Sequence, residues 1–117
     1  MENEIKDNEY IRTDTGKIDK VINANYYMPQ YIECEKDLIF KNNIVKHSSN
    51  LIDLIQCGDY VNGILVTGKE STLLWTEIKG IDRSGYHIPI SQYGENIKTI
   101  VTKEMMESIS YKVTKMW

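Results

Sequence analysis

Four side chains offer soft or borderline metal ligands, Cys34, His47, Cys57 and His87. No two of them have the close spacing of a zinc knuckle or ribbon, so no metal site is expected. A nucleophilic thiol needs a base oriented by a third group. Cys57 and His47, separated by one short helical segment, are the only Cys–His arrangement close in sequence, and the plainer reading is that Cys57 packs beneath the end of that segment. Glu33 and Glu35 form a carboxylate pair. On one open strand face both stay solvated, without the burial that drives two pKa values apart for acid–base work. Gly63, Gly68, Gly80, Gly85 and Gly94 are widely separated and none opens a helix, so there is no phosphate loop. These residues point away from catalysis: no enzyme and no cofactor are expected.

Two surfaces remain. Lys79, Arg83, Tyr86 and His87 interleave cations with an aromatic ring, a combination that can stack a base and hold a phosphate. Arg83, Tyr86 and His87 are therefore candidate ligand-binding residues for a small nucleotide, set against the plainer reading of a polar hairpin tip. Glu33, Glu35 and Asp37 alternate along one segment, with Asp19 and the acidic N-terminus as a candidate extension. They are candidate partner-binding residues, able to present carboxylates to a lysine- or arginine-rich groove as nucleic-acid mimics do. The plainer reading there is an ordinary solvated face.

The chain that must position these groups has 117 residues, the size of one domain. It is 41% hydrophobic, enough to build a core without disulfides or metal. Its apolar residues are mostly Ile, Val, Leu and Tyr, with a single Phe, a mixture that favours strands. Net charge is −3, which disfavours general nucleic-acid affinity. The charge is uneven: residues 1–60 hold 11 acids and 7 bases, residues 61–117 hold 6 acids and 7 bases. No stretch is apolar over the roughly 20 residues of a membrane span, and Met1 to Glu9 lacks the pattern of an export signal. A cytoplasmic protein with Cys34 and Cys57 as reduced thiols is the expectation.

Residues 1–9 carry little apolar surface and read as a flexible tail, leaving 10–117 as a single β-rich domain. Residues 10–22 form a hairpin around Asp14-Thr15-Gly16-Lys17. After a break at 23–30, residues 31–38 read as one half-buried strand, with Ile32, Cys34 and Leu38 inward and the acids outward. Ser48, Ser49 and Asn50 are N-cap types ahead of a stripe of Leu51, Leu54 and Ile55, so about two turns of α- or 3₁₀-helix should end at Gly58. Asn62-Gly63 between apolar runs is a type I′ hairpin signal. Gly68 should break the second arm, residues 73–78 form a strand, and turns fall at Gly80 and at 82–85. Pro89 places 86–90 at an edge or strand end. Beyond a turn at 93–96, residues 97–101 read as a strand. Thr102 caps a helix through Ile109, with Met105, Met106 and Ile109 as its apolar face, and 111–113 close as a strand. Roughly seven or eight short strands indicate a mainly β fold, a small antiparallel barrel or sandwich with one or two short helices.

The run from Ile44 to Ile55 followed by Gly58-Asp59-Tyr60-Val61-Asn62-Gly63, together with Ile97 to Glu104, resembles small uncharacterised prophage proteins of low-GC Gram-positive bacteria. That resemblance covers about half the chain and implies a viral accessory protein in the host cytoplasm. It implies a non-enzymatic inhibitor of host defence, anti-CRISPR-like, whose partner is a host protein or nucleoprotein effector. The alternatives are a sponge for a signalling nucleotide and an assembly protein that uses an edge strand. Oligomeric state is open at this level.

Overall fold

The computed structural model describes residues 4–71, 76–92 and 96–109. The chain is mainly β, as expected, and forms two five-stranded antiparallel sheets, neither closed into a barrel. The first is a meander of β1 (Tyr10–Thr13), β2 (Ile18–Asn23), β3 (Tyr31–Cys34) and β4 (Leu38–Phe40). β5 (Ile44–Ser48) returns to pair with β1, giving the order β4-β3-β2-β1-β5. The second contains β6 (Tyr60–Val61), β7 (Ile64–Ser71), β8 (Thr76–Ile81), β9 (His87–Gln92) and β10 (Ile100–Val101), in the order β10-β6-β7-β8-β9. A 3₁₀ turn, Leu51–Leu54, lies between the sheets and touches β1, β5 and β8. The helix α1 (Lys103–Ile109) comes after β10.

Each sheet has its own apolar cluster. Ile11, Val21, Ile32, Cys34 and Ile39 fill the first; Ile52, Ile55, Val61, Val66 and Ile78 fill the second. Alternation along the strands supplies the strand members of these sets, since every second side chain faces the same way, and the 3₁₀ segment with its C-cap adds Ile52 and Ile55.

Local turn chemistry accounts for the best-anticipated elements. Asn62 and Gly63 both have positive φ, 54° and 80°, and Val61 pairs directly with Ile64. A two-residue loop twisted this way matches the twist of its strands. Gly63→Val should therefore cost about 1 kcal/mol or more, because a β-branched residue resists positive φ. A urea-unfolding midpoint unchanged by that substitution would contradict this assignment of the turn. The hairpin at 10–22 forms around Gly16 at φ 87°, and Pro89 lies on β9, the edge of its sheet. Gly58, at φ 100°, ends the segment after the 3₁₀ turn.

Other expectations need correction. Residues 31–38 are not one strand but the hairpin β3–β4, turning at Glu35-Lys36-Asp37 and closed by Cys34 N–H donating to Asp37 O. The three turn residues reverse the in–out alternation in β4, so Leu38 is exposed and Ile39 is buried in its place. Gly68 does not break β7, which bulges between Val66 and Gly68 and continues to Ser71. Gly80 is not in a turn. It lies within β8, where an added Cβ would overlap Leu65 O and the side chains of Ile90 and Ile64. The helical segment before Gly58 is a single 3₁₀ turn, and Asn50 makes no side-chain cap. The strand at 97–101 shortens to Ile100–Val101. Residues 5–9, anticipated as part of a loose tail, are tied down: Ile5 packs on the first cluster, Asn8 N–H donates to Val21 O, and Val21 N–H donates to Glu9 O. The expectations for Leu73–Trp75, the turn at 93–95 and the strand at 111–113 lie outside the described residues.

Candidate functional site

The sheets meet at a buried ionic junction. Arg12, on β1, is fully buried and turned away from the Ile11 cluster. Its Nη1 donates to Asp59 Oδ2 at 2.5 Å and Leu54 O at 2.9 Å; its Nη2 donates to Asp59 Oδ1 at 2.9 Å and Glu104 Oε1 at 2.6 Å. Asp59 also accepts from the backbone N–H groups of Gln56 and Lys103. Beside it, buried Thr102 donates its hydroxyl to Gly16 O and accepts from Met105 N–H, which makes it the expected cap of α1. Burial opposes ionisation of Asp59, but the bonds from Arg12 and the two amides outweigh it and hold the carboxyl below its ordinary value. The same reciprocal bonds, set against burial, raise Arg12. The pair is enclosed and its acceptors are occupied, and it ties the two sheets together. Lys69, on β7, anchors the 3₁₀ segment to the second sheet by donating to Asp53 O and Ile55 O at 2.8 and 2.9 Å.

The acidic trio is not brought together. Glu33 stands on β3, paired across to Leu38 on β4 and to Asn23 on β2, with Ile22 next to it at a bulge. Glu35 and Asp37 are turn residues; Asp37 is paired with Lys17, and Glu35 lines a cleft between the sheets. Besides Asn23, the neighbours of Glu33 are largely aliphatic and aromatic. Ile22 and Leu38 are 50% and 41% exposed, and Tyr31 and Phe40 pair in the next row with ring centroids 5.5 Å apart. Tyr26 and Tyr27 pack with ring centroids 4.6 Å apart, tilted by 40°, on the adjoining loop. The Tyr26 hydroxyl is shifted upward, chiefly by its hydrogen bond to Tyr27 and in lesser part by the charge of nearby Glu33. Glu33 thus sits beside exposed Ile22, Leu38 and Tyr27 and half-buried Tyr26, Tyr31 and Phe40. The charge pattern marked this segment in the sequence; the exposure of its apolar frame was hidden by the parity change at the turn.

Arg83, Tyr86 and His87 do share one place, the exposed β8–β9 turn, which Asp82 shapes by accepting from the N–H groups of Ser84 and Tyr86. Tyr86 is 71% exposed. Both thiols are free: Cys34 is buried, its pKa pushed up to about 11 mainly by that burial, and Cys57 is exposed. His47 pairs through Nδ1 with Glu9 at 2.8 Å. Among the described residues no three His, Cys, Asp or Glu side chains converge as metal ligands. Nor is any helix among them long and apolar enough to cross a membrane. No protein-family model, curated protein or solved structure matches the chain.

Proposed function

We propose that the protein acts by binding rather than by catalysis, and that its docking face is the surface of β2, β3 and β4 centred on Glu33. The partner is a basic protein surface, in the setting of a host-defence effector whose nucleic-acid groove the protein occupies. One observation carries the reading: a carboxylate framed by exposed Ile22 and Leu38, with the Tyr31–Phe40 and Tyr26–Tyr27 pairs alongside. Interfaces concentrate aromatic and aliphatic anchors at their centre, and a charge enclosed there specifies its opposite on the partner. A lysine or arginine flanked by apolar groups fits that face; a phosphate backbone does not.

The test is affinity capture from bacterial lysate with the wild-type protein, Glu33→Lys, and Leu38→Asp. The captured protein should be basic and released by excess single-stranded nucleic acid. Both variants should weaken its retention about tenfold or more. Retention unaffected by Glu33→Lys and by nucleic acid would reject the reading.

A further inference from the structure

A second surface, lined by residues other than those around Glu33, lies between the sheets. Two adjoining cavities of about 220 and 490 Å³ share Ile18, Lys36 and Ile100 as lining, so they form one groove. The first is walled by Tyr10 and Lys20 from the first sheet and by Leu51, Ile97 and Lys98 from the facing segments. The second runs on between the β1–β2 turn and α1, past Thr15, Lys17 and Ser108. The groove therefore alternates apolar side chains with lysines and two acids, Asp19 and Glu35.

The charges within it are unequally free. The buried Asp19 carboxylate is occupied by backbone amides, accepting from Lys20 N–H at 2.8 Å and Lys36 N–H at 3.1 Å. Lys17 is taken by Asp37. Among the described residues no carboxylate pairs with Lys20, Lys36 or Lys98. Lys20 instead lies over the Tyr10 ring, 5.7 Å from its centroid. Lys20, Lys36 and Lys98 line the groove together with two carboxylates, Asp19, held by backbone amides, and Glu35, which is open.

We propose that this groove is a binding site for a small phosphorylated molecule with a flat apolar portion, the chemistry of a nucleotide. The lysines hold the phosphate, while Tyr10, Ile18, Leu51 and Ile97 receive the ring system. Lysine suits this task as a mobile point charge, and the apolar side chains beside it give a flat ring a contact surface. The site lies away from the β8–β9 turn, where Arg83 and Tyr86 stand exposed.

The experiment is isothermal titration of the full-length protein with adenosine, guanosine and uridine 5′-monophosphates, with the unphosphorylated nucleosides, and with inorganic phosphate. At least one monophosphate should bind more tightly than both its nucleoside and phosphate alone. Lys36→Glu and Lys98→Glu should each weaken that binding about tenfold or more. Both positions are exposed, and circular dichroism reports whether each variant stays folded. Arg83→Glu should leave the affinity unchanged. The proposal is overturned if no monophosphate binds at millimolar concentration, if phosphate alone binds as well, or if affinity follows Arg83 instead of Lys36 and Lys98.

Discussion

Arg12→Met is expected to destabilise the protein by about 3–5 kcal/mol, the range for removing one partner of a buried ion pair. The loss comes less from the contact itself than from what is left behind. Asp59 would remain fully buried with only its two backbone donors, and Glu104 would lose its hold on the first sheet. Urea unfolding measures the effect directly. A loss under about 1 kcal/mol would mean that the junction is not what joins the sheets. Removing Asp59 as well, in Arg12→Met with Asp59→Leu, should recover part of the stability because no charge is then stranded. Recovery cannot be complete, since Gln56 and Lys103 lose their acceptor. Acid should act on the same pair. The Asp59 pKa is lower in the folded protein than its ordinary 3.8, so its contribution is present above that value and lost as pH falls through the folded one. Arg12→Met should flatten this acid limb.

Gly16→Ala should produce the second large loss. Its φ of 87° costs an L-residue about 1–2 kcal/mol, and the added methyl would overlap Thr102 Oγ1 and the Glu104 side chain. Overpacking of that kind adds about 1–3 kcal/mol, and here it also pries apart the Thr102–Gly16 bond. Gly63→Ala is the comparison, because its φ is also positive, 80°, but nothing lies within 4 Å of the added carbon. Equal losses at the two positions would show that backbone strain alone, not the junction, sets the effect.

The sequence disclosed what local chemistry decides. Asn62-Gly63, Gly16 and Pro89 constrain backbone geometry by themselves, and the structure uses each as anticipated. The turn at 35–37 was illegible because Glu35-Lys36-Asp37 contains no turn-forming glycine or proline and continues the alternation of Glu33. Beyond the local Cys34–Asp37 bond, that turn is held by distant groups: Asp19 accepts from Lys36 N–H, and Lys20 O from Glu35 N–H. The junction was hidden for a related reason. Arg12 reads as the polar member of an alternating strand, while its partners lie 47 and 92 residues away. The lysine groove likewise joins residues from Tyr10 to Ser108 that no periodicity connects. The acidic trio was picked out by charge alone, and charge does not say which members share a face.

Amide hydrogen exchange, compared between the free protein and the protein bound to its captured partner, tests the docking face most directly. Protection should concentrate in residues 22–40, strongest along β3 and β4 around Glu33, with β8 and β9 unchanged. Protection confined to the β8–β9 turn, with none at β3 and β4, would contradict it.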